Sequence, residues 1–119
     1  MSQDHVFDLH EALSRIDHDR ETFCMMVEIF LEQGPNDLAA IQTALEQQDA
    51  AGAARAAHRL KGSALQFCAD AAVEAAKAVE TAGKAGDVGE SAKLYRKLEA
   101  ELLRLFDALR VATKKDLAA

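Results

Sequence analysis

The chain has 119 residues, of which half are apolar and only 5% aromatic, and its formal net charge is −6. The negative charge argues against nucleic acid as the main partner, because phosphate backbones are held by clustered lysine and arginine. No apolar run approaches the roughly 18 residues of a membrane span, and the N-terminus is not of signal type, so we expect a cytoplasmic protein with no membrane partner. One proline and six glycines are too few for the turns of an all-β fold. The composition therefore predicts an all-α protein with a single domain over residues 1–119.

A short helix is predicted near the start of the chain. Asp8 followed by Glu11 resembles a capping box and opens a helix that runs to about Ile16. This helix is too short to be a member of a bundle. We expect the ordered core to span about residues 7–113 and the tail from Lys114 onward to be frayed.

A long second helix is predicted over about residues 19–47, with Asp17 or Asp19 as its cap. Its apolar residues keep a spacing of three and four, which places them on one face: Phe23, Met26, Val27, Phe30, Leu38, Ile41 and Leu45. This register continues past Gly34 and Pro35. We therefore expect one helix bent at Pro35, with two helices that meet there as the alternative.

Asp49 and Asp70 are the predicted N-caps of the third and fourth helices. The apolar stripe of the third helix consists of Ala53, Ala56, Leu60, Ala64 and Phe67. The fourth helix is rich in alanine and runs to Gly83, with Ala72, Ala76 and Val79 turned inward. Small inward residues allow neighbouring helices to approach closely.

The last helix follows a predicted loop over residues 83–86. Asp87 with Glu90 repeats the capping pattern. The inward residues of this helix are mainly leucines: Tyr95, Leu98, Leu102, Leu105 and Leu109. Four substantial amphipathic helices with short connections predict an antiparallel four-helix bundle with a short additional N-terminal helix, which we expect to be a monomer.

His58 stands nearly opposite the apolar stripe of the third helix, so the helical repeat predicts that its side chain faces water. Within roughly 60° of it lies an outward arc without a carboxylate: Ala51, Ala54, Arg55, Lys61, Gly62 and Leu65. A locally basic and partly apolar arc on an acidic chain predicts a docking site for a partner that carries negative charge.

The residue types around His58 are typical of phosphoryl chemistry. An exposed imidazole near neutral pH is mostly uncharged, so it can act as a nucleophile. Lys61 lies three positions further on the same face and can neutralise phosphoryl oxygens. Gly62 costs roughly 1 kcal/mol relative to alanine inside a helix. Its presence predicts that a partner's active site approaches His58 closely.

The segment Ala57-His58-Arg59-Leu60-Lys61-Gly62-Ser63 resembles the phosphoacceptor motif of histidine-phosphotransfer (Hpt) domains. The resemblance extends to the long preceding helix, the break after Phe67 and the leucine-rich last helix. It implies that His58 is phosphorylated, that Lys61 stabilises the phosphoryl group and that Gly62 gives steric access. The chain departs from the pattern at Cys68, where many members have glycine, and at Ala64, where many have a second serine.

The resemblance also implies the partners. The phosphoryl group would come from an aspartyl phosphate on a receiver domain and pass to a second receiver, so the protein is a phosphocarrier in a phosphorelay without autonomous kinase activity. The receivers would belong to response regulators and to a hybrid sensor histidine kinase. The outward arc beside His58 is the predicted docking surface for them, through Ala51, Ala54, Arg55 and Leu65. The chain itself needs no cofactor and no metal, since the divalent metal is expected on the receiver.

Other function classes are less compatible with the sequence. A di-metal bundle enzyme needs inward Glu-x-x-His pairs, and no glutamate precedes a histidine by three positions. A dimeric kinase domain usually has an acidic residue directly after its histidine, where this chain has Arg59, and the chain has no glycine-rich phosphate loop. A helical adaptor that works without phosphorylation remains open, because it would form the same bundle without a use for His58 or Lys61.

Overall fold

A computed structural model of the chain describes residues 6–114, in which all regular structure is helical. Its five helices are α1 (Leu9–Ser14), α2 (Arg20–Glu46), α3 (Ala50–Leu65), α4 (Asp70–Lys84) and α5 (Val88–Ala112). Helices α2 to α5 form an antiparallel four-helix bundle, and α1 is the short additional helix, which confirms the predicted fold class. None of the helices in the described range is both long and apolar enough to span a bilayer. Residues 115–119 of the predicted frayed tail lie outside the described residues.

Aspartate side chains cap four of the helices. Each accepts a hydrogen bond of 2.9 to 3.1 Å from a backbone N–H in the first turn, in the pairs Asp8 with Glu11, Asp19 with Thr22, Asp49 with Gly52 and Asp87 with Glu90. Such a bond satisfies one of the N–H groups that have no partner inside the helix. The predicted starts of these helices are confirmed, with Asp19 rather than Asp17 as the cap of α2.

The start of α4 differs from the prediction. Asp70 is the first helical residue, and the N-cap position belongs to Ala69, which has no side-chain acceptor. The cause is the sharp turn between α3 and α4, where Cys68 has a left-handed backbone with φ of 55° and the N–H of Ala69 bonds to the carbonyl of Ala64. Since the turn between the helices is complete before Asp70, its carboxylate lies in the first turn of α4, where it still interacts favourably with the helix dipole.

The helix α2 is continuous through Pro35, so the alternative of two helices is wrong. The neighbouring Gly34 is buried, and a Cβ atom there would lie 2.7 Å from the ring of Phe106. Gly34 therefore lets α5 pack directly against α2. The predicted apolar stripes form the core, since all of their residues are buried except Met26, which is half-buried.

Helices α3 and α4 approach each other closely at Gly83. A Cβ atom on Gly83 would lie 2.7 Å from the carbonyl oxygen of Ala50 and 2.9 Å from Cβ of Ala54. Gly83 and Lys84 belong to α4, so the predicted loop begins later than expected, at Ala85. The close approach brings the side chains of α4 beside the outward face of α3, where His58 lies.

Candidate functional site

The imidazole of His58 lies on the outer face of α3, and 66% of its side chain is exposed. Its Nδ1 atom is 2.8 Å from Oε2 of Glu80, which α4 contributes one turn before Gly83. Among the described residues, no side chain or backbone group forms a hydrogen bond with the other ring nitrogen, Nε2. The prediction that His58 faces water is confirmed.

Glu80 is a mostly buried carboxylate on which three nitrogen groups converge. Only 6% of its side chain is exposed. Oε1 accepts a hydrogen bond of 2.7 Å from Nζ of Lys61, while Oε2 lies 2.8 Å from Nδ1 of His58 and 3.2 Å from Nζ of Lys84. The hydrogen bond from Lys61 is the largest cause that lowers the pKa of Glu80 from 4.5 to about 2. Lys84 and His58 add to the effect, and burial opposes it.

The charge of Glu80 determines which ring nitrogen of His58 can react. A carboxylate with a pKa of about 2 is ionised near neutral pH, and an ionised carboxylate can only accept hydrogen bonds. Nδ1 of His58 must therefore carry the proton that it donates to Glu80. In the neutral imidazole, the lone pair then lies on Nε2, on the side of the ring that points away from Glu80.

Glu80 is the residue that the sequence analysis missed, and the expectation of an arc without a carboxylate is wrong for the assembled site. That expectation considered α3 alone, whereas Glu80 lies 22 positions from His58 on the neighbouring helix. A signal was present in α4. Glu80 lies four positions after Ala76 and three before Gly83, which places one acidic residue on a ridge of small residues.

Gly62 and Lys61, two of the predicted site residues, differ in their exposure. Gly62 is exposed, and a Cβ atom there would meet nothing within 4 Å. Lys61 is only 22% exposed, because its side chain turns toward Glu80. The predicted exposure of Lys61 is therefore wrong in part.

The predicted docking residues also differ in their exposure. Ala51, Arg55 and Leu65 are exposed, and Arg55 has no ion pair with any residue in the range 6–114. Ala54 is 5% exposed, so its predicted place on the outward arc is wrong. Gly83 allows α4 to cover that edge of α3, and Ala54 becomes part of the floor of a groove beside His58.

The groove beside His58 has an alanine floor and charged edges. The groove is lined by Ala51, Ala54, Arg55, His58 and Arg59 of α3 and by Glu80 and Lys84 of α4, so three cations and one carboxylate border it. The groove is therefore basic around a nucleophilic nitrogen. Within residues 6–114, no three or more His, Cys, Asp or Glu side chains are grouped as they would be to hold a metal ion.

Comparison with protein families gives a match to the Hpt domain over residues 25–111, which includes the whole of α3 and α4. The chain therefore belongs to the Hpt domain family. This membership supports a role in histidine phosphotransfer in two-component signalling, and it implies interaction with receiver domains. Hpt domains in general are phosphocarriers rather than enzymes. Searches of curated proteins and of solved structures found no match.

Proposed function

We propose that His58 carries a phosphoryl group on Nε2 between the receiver domains of a phosphorelay. The observation that carries the proposal is the exposed imidazole whose Nδ1 is held by the buried carboxylate of Glu80. This contact orients the ring and selects the tautomer with the lone pair on the outer nitrogen. An imidazole held in this way can act as a nucleophile without first losing a proton.

The proposed transfer needs no proton movement within this chain. The lone pair of Nε2 attacks the phosphorus of an aspartyl phosphate, the bond between phosphorus and the aspartyl oxygen breaks, and the aspartate leaves as a carboxylate. The ring keeps its Nδ1 proton, so the product is a phosphoimidazolium whose positive charge faces Glu80. The same steps in reverse deliver the phosphoryl group to a second receiver.

The outer face of α3 supports docking of a receiver. Gly62 leaves open space one turn after His58, and the exposed Leu65 and Ala51 extend an apolar surface on either side. Arg55 adds a cation without an ion pair in the described part of the chain. This surface fits the acidic active site of a receiver, on which the divalent metal is expected. We propose a monomer that docks receivers of response regulators and of a hybrid sensor kinase one at a time.

Phosphoryl transfer to purified protein tests the proposal against the helical adaptor. A panel of receiver domains is charged with radiolabelled acetyl phosphate, and each is mixed with the wild-type chain or with His58→Gln. We expect label on the wild type that is lost in acid, as a phosphohistidine is, and no label on the variant. His10→Gln, which removes another exposed histidine, is the control and should accept label normally. Equal labelling of a folded His58→Gln would rule out the assignment, and no transfer from any receiver would favour the adaptor.

A further inference from the structure

We propose that Lys84, and not Lys61, is the cation that moves onto the phosphoryl group when His58 is phosphorylated. The inference rests on the proposed function and assigns different roles to Lys61 and Lys84. Lys61 holds Glu80 in place, and Lys84 is the cation that changes partner. No role for Lys84 is predicted from the sequence.

The two oxygens of Glu80 differ in how many donors they have. Oε1 has a single donor, Lys61, at 2.7 Å. Oε2 has two groups against it, His58 at 2.8 Å and Lys84 at 3.2 Å. If Lys61 leaves, Oε1 of a mostly buried carboxylate loses its donor, which is unfavourable. If Lys84 leaves, Oε2 keeps its bond from His58.

The exposure of the two lysine side chains leads to the same conclusion. The side chain of Lys61 is 22% exposed, and that of Lys84 is 70% exposed. An exposed lysine has a flexible stem of four carbons that reorients at little cost, whereas a mostly buried lysine is confined by its neighbours. Lys84 is therefore the cation that is free to move.

Lys84 also lies close to the imidazole. Its Nζ is no more than about 6 Å from Nδ1 of His58, because the two contacts of 3.2 and 2.8 Å meet at Oε2. It borders the same groove as His58 and Arg55, and Lys61 does not. Lys84 is therefore near enough for its flexible stem to carry the ammonium group from Glu80 to a phosphoryl group on Nε2.

Phosphorylation supplies the driving force for the change of partner. A phosphoryl group adds a charge of about −2 next to a carboxylate that is already negative. Glu80 retains two donors when Lys84 departs, while the phosphoryl oxygens gain a cation. The phosphorylated form is then stabilised relative to the free histidine, so Lys84 shifts the transfer equilibrium toward His58.

The test measures the transfer equilibrium for Lys84→Met and Lys84→Arg, with Lys97→Met as the matched control. Lys97 is 68% exposed and also faces a mostly buried glutamate four positions away, Glu101, but it lies on α5. Each protein is mixed with a phosphorylated receiver domain, and the fraction of label on His58 is measured at equilibrium. Phosphorus NMR of the phosphohistidine reports the surroundings of the phosphoryl group directly.

We expect Lys84→Met to lower the equilibrium constant for transfer to His58 roughly two- to fivefold, the size expected for one mostly exposed cation. Its phosphorus resonance should shift, and its melting temperature should stay within about 2 °C of the wild type. Lys84→Arg should restore both signals, and Lys97→Met should change neither. Lys61→Met should instead lower the melting temperature, by roughly 5 °C, because Oε1 loses its donor.

Two results would overturn the proposed roles of Lys61 and Lys84. One is a Lys84→Met protein with the equilibrium and resonance of the wild type, and the other is an equal loss in Lys97→Met, which would reflect net charge alone. A wild-type protein that takes no label would instead refute the proposed function. The wild-type protein thus tests the proposed function, and the Lys84 and Lys97 variants test the proposed role of Lys84.

Discussion

Replacement of Glu80 by glutamine removes the charge on which the candidate site is organised while it preserves the shape of the side chain. The amide oxygen can still accept one hydrogen bond, but the variant cannot form the ion pairs with Lys61 and Lys84. We expect Glu80→Gln to reduce the stability of the bundle near neutral pH.

The size of the effect follows from the pKa of Glu80. If solvent screened none of the interactions, the decrease of this pKa from 4.5 to about 2 would correspond to about 3 kcal/mol of stability, since one pKa unit is about 1.36 kcal/mol. His58 and Lys84 are mostly exposed, and water screens their share of the interaction. We therefore expect Glu80→Gln to lower the free energy of unfolding by roughly 1–2 kcal/mol at about pH 7.

The pH dependence has a definite sign. A carboxylate whose pKa is lower in the folded state stabilises the fold above its unfolded pKa and loses this contribution as the pH falls. For Glu80 the contribution is complete above about pH 5 and is lost as the pH falls toward about 2. The stability difference between wild type and Glu80→Gln should therefore shrink to less than half by about pH 3.

Urea unfolding followed by far-ultraviolet circular dichroism, repeated from about pH 7 down to about pH 3, measures this difference. Glu101→Gln is a control for the site, because Glu101 is also mostly buried between two cations but lies on α5. It should leave phosphoryl acceptance unchanged, whereas Glu80→Gln should slow it. A stability difference that is the same at every pH, or absent at pH 7, would contradict the charge network described for Glu80.

Substitutions at two further positions, Gly62 and Cys68, test features of the backbone around the site. Gly62→Gln should raise the melting temperature by roughly 3–5 °C, because glycine is a poor helix former and open space surrounds it, and it should suppress transfer by blocking a docked receiver. The smaller change Gly62→Ala should be similarly stabilising with a smaller loss of transfer, and a stabilised glutamine variant that accepts phosphate at the wild-type rate would remove the docking explanation. Cys68→Gly should stabilise the fold by roughly 0.5–1 kcal/mol in thermal unfolding, because its φ of 55° favours glycine, whereas Cys68→Ala keeps the strain and should give no gain. Both variants lack the thiol, so a lower melting temperature for Cys68→Gly than for Cys68→Ala would contradict the argument from backbone strain.

Much of the fold could be predicted from the sequence because each helix of a bundle has one buried stripe with a fixed repeat. The stripes led directly to the core, and the aspartates marked the starts of α1, α2, α3 and α5, since a cap is a local interaction within a few residues. The N-cap of α4 was predicted incorrectly as Asp70 instead of Ala69, because the left-handed turn at Cys68 is not encoded by a glycine.

Relations between helices were predicted less well. The angle of a residue around α3 placed His58 in solvent, but it could not show which neighbour covers each edge of the helix. Ala54 is covered, and Lys61 is turned aside, because Gly83 lets α4 approach and Glu80 then reaches the face of α3. The roles of His58 and Gly62 remain predictions from chemistry and family resemblance.

The most direct test of the account is to identify the ring nitrogen of His58 that carries the phosphoryl group. Protein labelled with nitrogen-15 in its histidines is phosphorylated by a receiver domain, and two-bond correlations between ring protons and nitrogens distinguish the two positions. We predict phosphorus on Nε2 with a protonated Nδ1 that still donates to Glu80. Phosphorus on Nδ1, or on any residue other than His58, would contradict it.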